Sequence, residues 1–534
     1  MRLARRWPFA IAIAGALAIP SLAHAATYCV NAPGCSGTPE TTLQAALTAA
    51  MATTTEADTV QVGDPGPPAA TGYVYSDSGV PANQVAIVGA GPASTVLTRT
   101  APGDVLTLIG PGSTLSGATL QMPAGSADAV ATSGSLDNVN VTTLDSGSGN
   151  QTVADFIGAG PAEHWIGGSA TLPNGVGTRV GVVDGMTTGT RLDLENLSIA
   201  GPTQGIIGGA ATSTAVRRVS LASAIGFIAQ GDQMTLDNVA FRVTATPGIF
   251  AVANPSAGHN AALDLNHVTA FGDGEASGIG LIVGSGSASE SALTTVRNSI
   301  IRNFFFDYER EATASGAVAN LSASYSDIAL VHGLSQNSSG GLGSVSAGPG
   351  LVDDDPRLAN PAAGDFSLPA GSPAIDAGDP AGFLPGDSAT DVLGAPRISN
   401  GRQDMGAVEF QAPAPVPPPA RDTTAPSVKL AKLPKKLTLP QLVKGFSFSV
   451  SPNEPASIVA TLAGSASSVK LSKSFNFTLA QKKLGLRAGK RKVTLKVKKR
   501  LLGHSRRFSV RLTVLATDAS GNKQTVKRTI KVHQ

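Results

Sequence analysis

The chain has 534 residues, more than one compact hydrophobic core normally holds, so several domains or an extended repeat are expected. Its 61 glycines and 14% charged residues are typical of a turn-rich β protein and argue against a helical bundle. The formal charge of +3 conceals an asymmetry, because residues 421–534 contain 25 of the 40 Lys and Arg but 3 of the 37 Asp and Glu, which predicts an acidic body joined to a basic C-terminal region.

Residues 1–25 have the composition of an export signal. Arg2, Arg5 and Arg6 precede a short apolar run, and Ala23-His24-Ala25 offers the small residues of a cleavage site. The run is too short to span a bilayer comfortably. We expect cleavage of this signal peptide, no transmembrane segment afterwards, and an extracellular or cell-surface location. The arginine pair also matches a twin-arginine signal in part, but ordinary secretion is the better interpretation.

The two cysteines, Cys29 and Cys35, lie just after this signal. In an oxidising compartment the pair predicts a disulfide that closes a short loop. A metal site would need further ligands nearby, so the structural interpretation is preferred.

Residues 41–51 place Leu43, Ala46, Leu47 and Ala50 at helical spacing, which predicts one amphipathic helix. Alternating apolar residues from 57 to 62 predict a strand directly afterwards. A solenoid exposes unpaired strand edges and apolar side chains at its ends, so this helix is expected to cap the N-terminal end of a repeat.

One short phrase recurs along the body: an apolar residue followed by apolar residues three and five places later. The first residues of these units are Leu115, Leu136, Leu194, Val216, Leu236, Leu265 and Val296. The spacing between successive units is about 20 to 30 residues, and the single gap of 58 fits two units. The sequence therefore predicts a coiled repeat.

The same phrase predicts the path of each coil. Its first residue ends one strand, a turn follows, and the pair at offsets three and five points inward from the next strand. The turn is occupied by asparagine in four units, at Asn138, Asn196, Asn238 and Asn298, and by Gly117 in the first unit. We expect a left-handed backbone at these corners and hydrogen bonds between the side-chain amides of equivalent corners in neighbouring coils. About a dozen such coils between residues 60 and 350 predict a right-handed parallel β-helix. Leucine-rich repeats would show a tighter Leu-x-Leu phrase, and propellers a longer and more even period.

The coils resemble those of pectate-lyase-like right-handed β-helix proteins, so residues 26–350 are expected to form the β-helix and its N-terminal cap. Residues 351–410 resemble the choice-of-anchor Q module, which implies a closing segment on an exported bacterial protein. The phrases that carry this resemblance are Leu351–Pro356, Gly364–Leu368, Gly371–Gly378, Gly394–Arg397 and Asp404–Phe410.

Residues 411–425 are rich in proline and alanine, which is typical of an extended linker. Beyond it, about seven alternating segments in residues 426–534 predict an antiparallel β-sandwich. Residues 516–522 resemble the last hairpin of bacterial immunoglobulin-like domains. The predicted fold is thus all-β: a capped parallel β-helix followed by an immunoglobulin-like sandwich.

A β-helix offers a lateral groove, so glycan binding is the first functional expectation. Lyases of this architecture need an Arg or Lys base with carboxylate-bound calcium, and hydrolases need paired carboxylates. The body arginines near the repeat are scattered and are interpreted as solvated, and Phe304–Phe306 as packing residues. We expect a non-catalytic surface protein that binds glycans or the cell envelope. A secreted polysaccharide lyase or glycoside hydrolase is the alternative, and a purely mechanical spacer without a ligand is a third possibility.

No cofactor is expected, although a structural calcium ion is conceivable. The acidic triplet Asp353–Asp355 is interpreted as turn-forming. A loop cluster supplies the candidates for an ion: Asp376, Asp379, Asp387 and Asp391.

The C-terminal region contains a strand with apolar residues on one side and cations on the other. Its cationic residues and their neighbours are Lys490, Arg491, Lys492, Lys496, Lys498, Lys499 and Arg500. This face predicts binding to an anionic cell-envelope polymer, without specific nucleic-acid recognition. A face that only solubilises the domain, or that docks on the acidic body, is the competing interpretation.

Overall fold

The computed structural model describes residues 25–53, 57–77, 83–144, 149–158, 162–173, 177–186, 189–210, 212–231, 233–256, 258–274, 278–412, 421–464, 477–502 and 507–534. Residues 1–24 of the predicted export signal and residues 413–420 of the predicted linker lie outside this range. The described residues up to 412 form one compact unit, and those from 421 form a second.

The first unit contains two long parallel β-sheets. Within the described residues, sheet 1 has 16 strands. They are β1 (Thr27–Val30), β2 (Thr38–Glu40), β3 (Ala57–Val62), β5 (Gln84–Gly89), β6 (Val96–Thr98), β8 (Thr114–Met122), β10 (Ser135–Thr143), β12 (Glu163–Thr171), β14 (Arg191–Ala200), β16 (Ser213–Ser223), β18 (Gln233–Val243), β20 (Ala261–Phe271), β22 (Ser291–Arg297), β23 (Ile300–Arg302), β25 (Val318–Ser324) and β27 (Val345–Ala347).

Sheet 2 has 11 strands within the same part of the chain. They are β4 (Tyr73–Ser76), β7 (Leu106–Ile109), β9 (Ala127–Thr132), β11 (Gln151–Phe156), β13 (Arg179–Asp184), β15 (Gln204–Gly208), β17 (Ile225–Ala229), β19 (Ile249–Ala253), β21 (Ile279–Ser285), β24 (Phe306–Ala312) and β26 (Gly333–Asn337). From β7 to β22 the chain alternates between the two sheets, so each coil contributes one strand to each. The predicted parallel β-solenoid is confirmed at this level.

The predicted inward residues stack in register from coil to coil. Leu136 pairs with Trp165, and Trp165 pairs with Leu194, so β12 supplies the coil hidden in the 58-residue gap. The column continues through Val216, Leu236 and Leu265, and all of these side chains are almost completely buried. Burial of each such side chain contributes roughly 1.5–3 kcal/mol, and this repeated term holds the coils together.

The predicted N-terminal helix is present as α1 (Leu43–Met51). Thr42 caps it, since its hydroxyl accepts a hydrogen bond of 3.1 Å from the Ala45 amide. The helix buries its apolar side, including Leu43 and Leu47, in the same core as the first coils. Beside it, Cys29 and Cys35 are joined by a disulfide with their Cα atoms 5.9 Å apart.

A column of left-handed residues marks one corner of the solenoid. The positive φ angles predicted for the asparagine corners are confirmed, for example 57° at Asn196. The full column in successive coils is Gly117, Asn138, Gly167, Asn196, Arg218, Asn238, His267, Asn298 and Tyr325. Arg218 and His267 interrupt the asparagines in this column. The described corners therefore do not form a continuous row of hydrogen bonds between side-chain amides. Instead, the Arg218 guanidinium donates to the side-chain oxygen of Asn196 at 2.7 Å.

Residues 351–410, here called the flank segment, have little regular structure apart from a 3-10 turn at Pro361–Ala363. The segment packs along the outside of this corner. Its Phe366 and Val408 form an apolar cluster with Ala240 of β18. Its Leu368 and Met405 form another with Ile300 of β23.

The second unit contains two small sheets around one hydrophobic core. Three strands are antiparallel neighbours: β28 (Val428–Ala431), β30 (Phe446–Pro452) and β33 (Arg491–Leu495). Five more form a mixed sheet: β29 (Lys436–Thr438), β31 (Ala456–Gly464), β32 (Phe477–Arg487), β34 (Arg507–Asp518) and β35 (Lys523–His533). Only β29 and β35 pair in parallel within this sheet as described. The short helix α2 (Leu439–Lys444) precedes β30.

Neither α1 nor α2, the two α-helices of the described residues, is long and apolar enough to cross a membrane.

Candidate functional site

A groove of about 820 Å³ runs over the outer face of sheet 1. Its floor consists of outward side chains from β14 to β27, and the loop at residues 384–387 of the flank segment forms a wall. We call this concavity the lateral groove. It matches the place where the sequence predicts a ligand site, and the flank segment supplies a side of it that the repeat pattern alone does not reveal.

The floor of the lateral groove is built by strand register. Outward positions on successive strands align, so Thr235 lies beside Asp264, and Asp264 lies beside Thr295. The column continues to Ser322 and then to Ser346. The alternation of strand side chains sends the aliphatic neighbours inward and leaves hydroxyl and carboxylate groups on the floor. Such a surface is suited to a ligand rich in hydroxyl groups.

One end of the groove contains two arginines that share a carboxylate. The guanidinium of Arg191 donates two hydrogen bonds to Asp193, at 2.7 and 2.8 Å, and Arg217 donates a third at 3.1 Å. Burial alone would raise the pKa of Asp193, but the hydrogen bonds and charges of both arginines outweigh it and lower the pKa. Asp193 is therefore ionised at neutral pH and neutralises charge beside the groove.

The groove wall is fixed to the floor by a second set of polar contacts. Asp387 accepts a bond of 2.7 Å from Arg297 and one of 3.0 Å from the Asn266 amide. Asp379 lies 3.7 Å from the same arginine. Two of the predicted calcium ligands, Asp379 and Asp387, are thus occupied in holding the wall.

The other two predicted calcium ligands have backbone partners. Asp391 is fully buried and accepts bonds from the amides of Leu393, Ala395 and Glu409. Asp376 has a φ of 54° and donates its own amide to Asp404. Within the described residues, the four aspartates do not form a group of converging carboxylates.

Acidic residues do converge in the second unit. Ligand oxygens of Asp422, Glu454 and Asp518 all lie within 4.8 Å of one another. These are the three acidic residues counted in the sequence of the basic region. Asn522 bridges two of them, since its side-chain amide donates to the Asp422 carbonyl at 2.8 Å and to the Asp518 carboxylate at 2.9 Å.

Next to the lateral groove, the flank segment meets the corner column through buried polar groups. His267 is fully buried, 3.1 Å from the Gln403 side chain and 3.5 Å from Asp237. Burial and the nearby Arg397 lower the pKa of His267 to about 4, so this histidine is neutral at physiological pH. Sequence reasoning did not assign His267, because its role depends on a contact 136 residues away.

The aromatic run lies outside the groove. Phe304 is buried in the solenoid core, and Phe305 is 52% exposed. The packing interpretation therefore holds for Phe304 and not for Phe305. No aromatic side chain is among the described residues that line the groove.

The predicted basic strand is a strand only as far as Leu495, and Lys499–Leu501 form a 3-10 turn, but side chains alternate between buried and exposed up to Lys498. Val493, Leu495 and Val497 are buried, whereas Lys492, Lys496 and the other predicted lysines are exposed. Arg491 differs from its neighbours, since its guanidinium donates bonds of 2.6 Å to the carbonyls of Gly485 and Ala456. No ion pair within the described residues involves a side chain after residue 409. We call the exposed set Lys490, Lys492, Lys496, Lys498, Lys499 and Arg500 the basic face.

No protein-family model matches the chain. A search among the curated proteins finds no match either.

Proposed function

We propose that this is an exported, non-catalytic surface protein that binds a polysaccharide in the lateral groove. The groove itself is the observation that carries the proposal: a concavity lined by seven strands of sheet 1, in which hydroxyl and carboxylate groups stand among apolar ones. A row of aligned hydroxyl and carboxylate groups offers repeated hydrogen-bond partners to a repeating polymer. A rigid, preformed surface also reduces the ordering cost of binding.

At a finer level, we propose a right-handed β-helix of the pectate-lyase-like type, a flank segment of the choice-of-anchor Q type, and an immunoglobulin-like second unit. The arrangement of the strands and the sequence phrases in residues 351–410 support this assignment. The signal-like residues 1–25 support export to the cell surface or the medium.

A second binding activity is proposed for the basic face. Its six cations have no acidic partner among the described residues, and their side chains are exposed. An anionic cell-envelope polymer would be attracted to them by screened electrostatic forces. The protein would then attach through one unit and bind glycans through the other.

One carboxylate at the groove supports binding over catalysis. Asp193 is engaged by two arginines, and their hydrogen bonds and charges lower its pKa, which makes this group a poor proton donor. Glycoside hydrolysis needs one carboxyl group that remains protonated. A polysaccharide lyase or glycoside hydrolase is the alternative that the experiment below must distinguish from a binding protein.

The test blocks the groove with a large side chain. Ser322→Trp places an indole on the floor, and Ser198→Trp places one on an exposed position of β14 outside the groove lining. Polysaccharide binding to the whole protein is measured by affinity electrophoresis and calorimetry over a panel of neutral, acidic and amine-bearing polymers. We expect Ser322→Trp to weaken binding by about tenfold or more, which corresponds to about 1.4 kcal/mol, and Ser198→Trp to leave it unchanged.

Two results would overturn the proposal. The first is an absence of binding, or binding that both variants retain equally. The second is release of reducing ends or unsaturated products that Ser322→Trp abolishes, because this would establish an enzyme.

A further inference from the structure

The charges around the lateral groove do not balance. Three arginines lie there: Arg191, Arg217 and Arg297. Each of them already contacts an acidic group. Arg191 and Arg217 both contact Asp193. Arg297 contacts Asp387 and Asp379. The donors that normally recognise an anionic sugar are therefore engaged within the protein.

Two further groove carboxylates have no arginine or lysine within ion-pair distance among the described residues. Asp264, half-buried on the floor, accepts a bond of 2.9 Å from the Gln233 amide and another from the Thr295 hydroxyl. Asp237 accepts bonds from the Asn266 amide at 3.0 Å and from the Ser388 backbone amide at 3.0 Å.

Among the described residues, His267 is the ionisable base within ion-pair distance of Asp237, and that histidine is uncharged at neutral pH for the reasons given above. The charge of the buried Arg397 acts on Asp237 from farther away. Counting Asp193 and Asp379 with the carboxylates that line the groove, five acidic groups face three arginines. The groove is thus left with an excess of negative charge.

Asp264 is the more accessible of the two unpaired carboxylates. Asp237 is 8% exposed and is covered by the flank segment, whereas Asp264 stands in the open column between Thr235 and Thr295. A carboxylate has about four acceptor positions, and Asp264 uses two for neutral donors. A cationic donor would form a charge-assisted bond about twice as strong as a neutral one.

We propose that the lateral groove selects a polysaccharide that carries protonated amino groups, and that Asp264 pairs with one of these amines. This inference rests on the proposed function and adds the substrate class. Polymers of uronic acid are disfavoured, because their carboxylates meet an acidic groove whose arginines are already paired. Fully acetylated amino sugars bind through their hydroxyl groups but lack the charged contact.

The experiment uses the whole protein and three probes of equal length: glucosamine oligomers, N-acetylglucosamine oligomers and oligogalacturonate. Calorimetry at about pH 6 keeps the free amine protonated. Each probe is also measured with Ser322→Trp, so that binding to the basic face is separated from binding in the groove. We expect the glucosamine oligomer to bind about tenfold more tightly than the acetylated one.

The decisive variant is Asp264→Asn, which keeps the size of the side chain and removes its charge. It should weaken binding of the glucosamine oligomer about tenfold more than it weakens binding of the acetylated oligomer, because only the charged contact depends on the carboxylate charge. Asp137→Asn is the matched control, since Asp137 lies on the outer face of β10, outside the groove lining. It should change neither.

The outcomes distinguish failure of the proposed function from failure of the proposed substrate class. If no probe binds in a manner that Ser322→Trp abolishes, the proposed function itself is lost. If all probes bind in the groove but the amine confers no advantage, or if Asp264→Asn leaves that advantage intact, the groove remains a glycan site and the substrate class proposed here is wrong.

Discussion

The Arg397 guanidinium donates a hydrogen bond to the side-chain oxygen of Asn238, a residue 159 positions earlier in the chain. Arg397 belongs to the flank segment and Asn238 to the left-handed corner of β18. The same guanidinium donates to the Gly406 and Ala407 carbonyls, at 2.8 and 3.1 Å, and lies 3.6 Å from Glu409. One fully buried cation therefore joins two turns of the flank segment to the solenoid.

Arg397→Met should destabilise the first unit by about 3–5 kcal/mol, because it leaves Glu409 and several buried carbonyl groups without their partner. Chemical denaturation and limited proteolysis of the flank segment measure the effect. Arg357→Met is the control, since the exposed Arg357 has one long bond of 3.2 Å to the Gly371 carbonyl. Equal stability of the two variants would show that the buried contact is unimportant.

A second buried group lies at the start of β12. Glu163 is 2% exposed, and neither of its carboxylate oxygens has a hydrogen-bond partner among the described residues. Burial, reinforced by the charge of Asp184, raises the pKa of Glu163 to about 8 from its ordinary value of 4.5. The folded protein therefore keeps this proton at a pH where the unfolded chain has released it.

This difference predicts a pH dependence of known sign. Between about pH 4.5 and 8 the folded state binds more protons than the unfolded state, so the contribution of Glu163 to stability falls as pH rises. Glu163→Gln should remove this loss and raise the free energy of unfolding at about pH 9 by roughly 1–3 kcal/mol, with little change at low pH. Denaturation across a pH series is the measurement. Glu309→Gln, on a less buried strand position, is the control, and a parallel shift of both curves would contradict the prediction.

The corner column makes a prediction about backbone conformation. Asn196 has a φ of 57° and an exposed side chain. Asn196→Ala should cost about 1–2 kcal/mol of stability, because a Cβ without a local hydrogen bond is strained in the left-handed region. Asn196→Gly should cost less, since glycine adopts this conformation freely. Ser198→Ala, in the same strand with an exposed side chain, supplies the baseline, and an alanine variant as stable as the glycine variant would refute the strain argument.

The basic face predicts salt-sensitive binding to cell-wall preparations. The triple variant Lys496→Gln/Lys498→Gln/Lys499→Gln should weaken binding at low salt by about tenfold and flatten its salt dependence, because fewer charges are screened. Lys523→Gln/Lys527→Gln/Lys531→Gln removes the same charge from exposed positions of β35. If both triple variants lose affinity equally, net charge and not this face governs attachment.

The repeat phrase predicted the inward rungs, the left-handed corners and the coil number, because all three depend on local backbone geometry and side-chain alternation. Even the coil of Trp165 was detectable as a doubled gap. The disulfide and the helix that begins after Thr42 also involve residues close together in sequence. These features are the part of the fold that short-range rules determine.

The groove wall and the buried polar contacts between the flank segment and the corner column were not predictable in this way. In the sequence, Asp387 is one of four candidate calcium ligands in a loop, and its partners Arg297 and Asn266 lie 90 and 121 residues away. His267 likewise contacts Gln403, which lies 136 residues away. The roles of these residues depend on where the flank segment packs on the solenoid. No repeated sequence pattern indicates that position.

Because the coils from β8 to β25 repeat the same left-handed corner and present outward side chains in the same columns, each turn adds one further row to the floor of the groove. Under the proposed function, the length of polymer held would be set by the number of turns between Arg191 and Ser346. Gain or loss of a whole turn would lengthen or shorten the bound segment without altering the cross-section of the rod.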